Sequence, residues 1–112
     1  MSWEYDEIVN LNSRFGSGAV INSGSLHYAI GAGKTTEDWL KQLAHLVRSL
    51  LVDYVFEDGN KRTAAVLVMM AAEERRAAYD PLAVGRLTTR IAQGKIKNIS
   101  TIRRLIRDVL RG

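Results

Sequence analysis

The chain has 112 residues, enough for one domain with a single modest core and too few for two. It contains no cysteine, which excludes disulfides and thiolate metal sites, and its formal net charge of +4 favours anionic partners: a nucleotide, nucleic acid or an acidic protein. Its longest apolar run, Ala64 to Ala72, is too short to span a bilayer, and the acidic start, Met1 to Glu7, lacks the apolar stretch of a signal peptide.

These totals lead us to expect a cytoplasmic protein with no membrane partner. A single proline and recurrent three- and four-residue apolar steps predict an all-α fold, 1–112 forming one domain. Ser2 is placed to cap a first helix whose stripe is Tyr5, Ile8, Val9 and Phe15. The helix ends at the glycine-rich stretch Gly16 to Gly24, which surrounds Ala19-Val20-Ile21 and reads as a turn plus a short extended segment. A short helix is expected over Ser25 to Ala32, stopped by Gly31-Ala32-Gly33.

Thr35 or Thr36 is the expected cap of the next helix, with Glu37 and Asp38 in its first turn. Trp39, Leu43, Leu46, Leu50 and Tyr54 form one apolar row and Leu40, Ala44, Val47 and Leu51 the adjacent one, so this helix should be well buried. Asn60 begins a helix that is apolar all round from Ala64 to Ala72, as expected of the centre of a bundle, with Met69 and Met70 in the core. Glu73 to Arg76 mark its emergence into solvent. Asp80-Pro81 is a cap followed by a first-turn proline, for a helix ending near Gly94. Ser100 is the expected cap of the last helix, whose apolar face is Ile102, Leu105, Ile106 and Val109.

The chemistry concentrates in Tyr54 to Thr63, which joins two helices. Gly59 allows the backbone to approach a ligand closely. The first amides of the Asn60 helix lack intrahelical acceptors and carry the positive end of its dipole. Lys61 and Arg62 add charge, and Arg62 can grip a phosphate with two parallel hydrogen bonds. Asp58 offers hard oxygen to a magnesium ion bridging phosphates, and Phe56, apolar in a polar loop, is expected to point inward as an anchor.

This segment resembles the motif of the Fic/Doc family, His-x-Phe-x-Asp/Glu-Gly/Ala-Asn-x-Arg, with Phe56, Asp58, Gly59, Asn60, Lys61, Arg62 and Thr63 matching its Doc-like, death-on-curing branch. The second arginine of adenylylating relatives would fall at Ala65 and is absent. Ile8 to Ile30 and Ala92 to Ile96 also resemble the first helices, flap and late turn of Doc-like proteins. The resemblance implies an all-helical Fic-type bundle around a central buried helix, with a short β-hairpin flap near the N-terminus. It implies that ATP, or another nucleoside triphosphate, and Mg²⁺ bind this loop, and that a phosphoryl or AMP group passes to a hydroxyl of a target protein. By position, Asp58 would hold magnesium and Gly59, Asn60, Lys61 and Arg62 the phosphates. Gly18, Ala19, Val20 and Ile21 would form the flap that docks the target by strand addition. The family's self-inhibitory pattern is absent, so in a toxin restraint would come from a separate antitoxin chain or be made unnecessary by the residue at Tyr54.

The family's catalytic histidine falls at Tyr54. A phenol, with a reference pKa of about 10, keeps its proton near neutral pH and is a poor general base. Transfer is therefore expected to be impaired, or the protein to be an inactive binding relative. Asp53, Glu57 and His45 are the substitute bases to consider. If Tyr54 simply ends the Trp39 row, it packs with its hydroxyl in the pocket.

Other candidates have plainer readings. Gly31-Ala32-Gly33-Lys34-Thr35 is part of a P-loop pattern, but Tyr28 stands where the first glycine is needed and no strand precedes it, so a helix end followed by a cap explains it better. His27 and His45 lack a metal-ligand spacing. Lys95, Lys97, Arg103, Arg104, Arg107 and Arg111 make the C-terminal end basic, but no aromatic residues interleave, which argues for a solvated helix face over a nucleic-acid surface.

Overall fold

The computed structural model describes residues 3–110. Six helices follow in order: α1 Tyr5–Asn12, α2 Ser23–Gly33, α3 Trp39–Leu51, α4 Asn60–Glu74, α5 Pro81–Gly94 and α6 Ile99–Val109. No helix among the described residues is long and apolar enough to cross a membrane. The expected cap Ser2 lies outside the described residues.

Most helix starts carry a polar side chain that accepts a main-chain N–H. Asn22 caps α2, Asp80 caps α5 ahead of Pro81, and Asn98, not Ser100, caps α6. For α3 the cap is Asp38, whose Oδ1 accepts from Leu40 and Lys41 at 3.0 and 3.2 Å. Thr36 sits two residues outside, its hydroxyl accepting the Asp38 N–H. The other carboxylate oxygen of Asp38 takes a 2.7 Å hydrogen bond from Arg103 Nε, which fastens α6 to the head of α3. Burial pushes the Asp38 carboxyl up, but Arg103 and the two amides outweigh it and hold it below the usual carboxylate range.

Helix α3 packs on α2, α4, α5 and α6, which buries both of its apolar rows. Helix α4 packs on α1, α3 and α5. One of its faces is buried through Ala64, Leu67, Val68, Ala71 and Ala72, while Met69 is partly buried and Met70 is 42 % exposed. Core placement of Met70 is therefore corrected: no helix covers that side of α4. Leu26, Ala29, Val84, Ile91, Ile102 and Ile106 complete a core contributed by all six helices.

The β-hairpin flap is also corrected. Among the described residues there is no strand, only one antiparallel bridge, between Val20 and Phe56. The glycine-rich segment spends its hydrogen bonds on the later loop: Ile21 and Asn22 N–H donate to the Val55 carbonyl at 2.7 and 3.1 Å, and Glu57 N–H donates to that of Ala19 at 3.0 Å. Asn22 then caps α2 at once, so no chain is left for a return strand.

His45 lies buried on α3 with Nδ1 unpartnered and its ring edge-on to Tyr28. Burial, with Arg48 and Lys41 nearby, pushes its pKa below the usual value. The unfolded chain takes up a proton below about pH 6.5 that the folded state resists, so stability should fall as pH drops through that value. Denaturant melts on either side of it should show this loss, and His45→Phe should flatten the profile.

Candidate functional site

Helix α3 stops at Leu51, before Tyr54. The chain turns through Tyr54 in the left-handed region, φ 52°, an uncommon conformation for a bulky side chain. This corrects the expectation that Tyr54 ends the Trp39 row: the helix no longer exists there, and Tyr54 is 49 % exposed. Val55 and Phe56 then plunge into the core with no exposed surface. Asn60 clasps the Phe56 main chain in both directions, its Oδ1 accepting the N–H at 3.1 Å and its Nδ2 donating to the C=O at 2.9 Å. The Asn60 side chain is thus used to shape the loop.

Asn12 ties three segments together. It is fully buried at the end of α1. Its Nδ2 donates to the Asp58 carbonyl at 2.9 Å and to the Thr63 hydroxyl at 3.1 Å, and its Oδ1 accepts the Gly18 N–H at 3.0 Å. Thr63 passes its own proton to the Gly59 carbonyl. Two glycines make this approach possible. A Cβ on Gly16 would stand 2.4 Å from Asp58 Oδ1 and 2.8 Å from its carbonyl oxygen. Gly59 has φ 76°, and a Cβ there would meet Asn12 Nδ2 at 3.0 Å. Asn12 was not singled out in the sequence; its signal is a polar residue on the Ile8–Leu11 face of a helix.

The loop opens onto a cavity of about 710 Å³, within the range of small-molecule sites. Asp58, Gly59, Asn60, Lys61 and Arg62 line one side, and Tyr54 and Glu57 border them. Phe15 and Leu51 supply apolar wall, and the end of α5 with the residue that caps it contributes Ala92, Gln93 and Lys95. The main-chain N–H groups of Asn60, Lys61 and Arg62 find no acceptor among the described residues, and Thr63 N–H is the first to close back, onto Gly59. Lys61 and Arg62 are exposed and form no ion pair among the described residues. Unsatisfied amides and free cations at the head of one helix make a favourable place for an anion.

Compared with protein families, curated proteins and solved structures, the chain matches none.

Asp58 is exposed, and its Oδ1 accepts the Ser17 N–H at 2.8 Å, leaving Oδ2 free of hydrogen bonds among the described residues. No group of three or more His, Asp or Glu residues able to hold a metal occurs among them. One free carboxylate oxygen does fit magnesium, which commonly takes one or two protein carboxylates and completes its shell with water and phosphate oxygens. Of the substitute bases, only Glu57 borders the cavity. Asp53 accepts the Ser25 hydroxyl proton at 2.7 Å and helps to hold α2 against α3, and His45 is buried elsewhere.

The flap residues divide. Gly18 turns with φ 73°, Ala19 and Val20 lie along the loop, and Ile21 is 64 % exposed. Val20 N–H and C=O make no hydrogen bond among the described residues, so one edge of this segment remains open.

The basic C-terminal residues also divide. Arg103 binds Asp38, Arg107 contacts Asp108, Lys95 faces the cavity, and Arg111 lies outside the described residues. A second cavity, about 190 Å³, sits between α2 and α3 against Trp3, Ile30 and Leu46. Its one charged residue, Lys34, is engaged by Glu4 at 3.4 Å, so it offers no convergent polar groups comparable with those of the loop.

Proposed function

We propose that the chain is a Doc-like Fic-fold protein. It binds ATP, or another nucleoside triphosphate, with magnesium in the Phe56–Thr63 loop and transfers a phosphoryl or AMP group to a hydroxyl of a target protein. The observation that carries this reading is the convergence on one cavity of the open α4 amides, Lys61, Arg62 and Asp58, in the residue order of the family motif. Arg62 and Lys61 would hold the phosphates, and the free Asp58 oxygen would reach the magnesium ion. Bound there, the ion would offset the negative charge that builds on the leaving phosphate as its bond to the transferred group breaks. Phe56 and Asn60 keep the loop in shape. The open edge at Val20 supports docking of an extended target segment beside the flap.

Tyr54 occupies the position of the family's base, and we propose that transfer is slow for that reason. A positioned general base is typically worth about 10²–10⁴ in rate. The half-exposed phenol also favours a second reading, an inactive Fic-fold protein that acts by association while retaining the pocket.

Calorimetric titration with ATP and magnesium tests the site. Arg62→Ala should weaken binding by about 10–100-fold, the worth of a charge-assisted pair of hydrogen bonds. Absence of binding to the unmodified protein at millimolar ATP would overturn the nucleotide reading. Tyr54→His should then raise transfer of labelled phosphate or AMP to protein by about 10²–10⁴. A variant that binds ATP but transfers nothing would leave the association role.

A further inference from the structure

We infer that Lys95 is the cation that contacts a second phosphate of the bound nucleotide, the one lying beyond the phosphate at the head of α4. The inference rests on the phosphate site proposed above.

The cavity is larger than a single phosphate requires, and its cations come from two different helix ends. Lys61 and Arg62 project from the start of α4 and Lys95 from the end of α5. None of the three pairs with a carboxylate among the described residues, although Glu57 and Asp58 line the same cavity. Three cations against two carboxylates leave the cavity lining with an excess of positive charge. A polyanion can engage the cations of both helix ends at once, whereas a single phosphate at the head of α4 is served by Lys61 and Arg62 alone.

The backbone at Lys95 strengthens the argument. Lys95 has φ 47° and ψ 47°, the left-handed conformation in which a helix commonly ends on glycine. A lysine there is strained, and Gly94 immediately precedes it. Glycine would serve the turn at least as well. What the lysine adds is an exposed cation on the cavity lining.

The same conformation provides a clean variant. Lys95→Gly removes the cation and suits the backbone, so it should melt at or above the temperature of the unmodified protein. Lys95→Asn, also tolerated in this conformation, serves as a second variant. Each would be titrated calorimetrically with ATP, AMP and inorganic tripolyphosphate in the presence of magnesium. Affinity for ATP and tripolyphosphate should fall about tenfold in both variants, while affinity for AMP stays the same. Unchanged ATP affinity in the variants, with binding still lost in Arg62→Ala, would overturn the role of Lys95 and leave the phosphate site standing. Equal losses for AMP and ATP would also overturn it, by showing that Lys95 does not act on a second phosphate. Failure of the unmodified protein to bind either ATP or tripolyphosphate would remove both readings together.

Discussion

Phe56→Ala is expected to destabilise the protein by about 3–5 kcal/mol, the usual cost of emptying a large aromatic site in a packed core. Phe56 is the bulkiest of the large, fully buried side chains, and it shares with Val55 the role of tying the loop between α3 and α4 to the core. Its main chain is held at both N–H and C=O by Asn60, and it bridges to Val20. The lost side chain would therefore free the flap and the loop together. A fall in melting temperature on the order of 12–20 °C should accompany the change, read by calorimetry or circular dichroism. Phe56→Leu, which refills much of the volume, should cost well under half as much. If both variants melt like the unmodified protein, Phe56 is not the anchor of the loop. At a temperature where Phe56→Ala remains folded, ATP affinity should also fall, because the cations of α4 would no longer be held against a fixed loop.

Asn12→Ala is the second large effect, expected at about 2–4 kcal/mol. The substitution would leave three groups without their partner: the Gly18 N–H, the Asp58 carbonyl and one side of the Thr63 hydroxyl. Each buried group left unsatisfied costs about 1–3 kcal/mol, reduced wherever water can enter. Asn12→Asp is a sharper probe than alanine. It preserves the acceptor for Gly18 but removes the donor, and it sets a buried carboxylate against the Asp58 carbonyl and the Thr63 oxygen. It should destabilise at least as much as alanine at neutral pH and recover part of that loss in acid, where a protonated carboxyl can donate again. Urea melts across pH would reveal this. A pH-independent cost would show that the donor bonds of Asn12 contribute little.

The two variants meet at the same place from different directions. Phe56 holds the loop to the core through apolar contact, and Asn12 holds it to α1 through polar contact. Combining them should give less than the sum of the two losses, since both act on one cooperative segment.

The amino-acid sequence by itself determined that the described chain is helical, and it located several helix boundaries. Asp80-Pro81 and Asn60 are local signals: a cap, a proline at the first helical position, and a glycine before a run of good helix formers depend on residues within one turn of each other. The two apolar rows of α3 were legible for the same reason, because the 3.6-residue period converts spacing directly into a face. The loop chemistry was also written locally, in Asp58 to Arg62. Where several capping residues stood together, the choice was not local. Asp38 displaced Thr36 because Arg103, distant in sequence, holds its second oxygen.

Only the tertiary structure decided the rest. The resemblance implied a hairpin in the glycine-rich segment, but its hydrogen bonds went to Val55 and Glu57, so no hairpin formed. Pairing partners in extended chain are chosen across the fold, and nothing in the segment itself names them. Met70 had the surroundings of a core residue in a helix apolar all round, yet burial requires a neighbour on that side and none arrived. Asn12 and Lys95 stand far from the motif in the chain and reach it only because α1 and α5 both pack on α4. Periodicity and capping are short-range physics and could be read in order along the chain; the buried amide that closes the loop and the cation that faces it are products of packing.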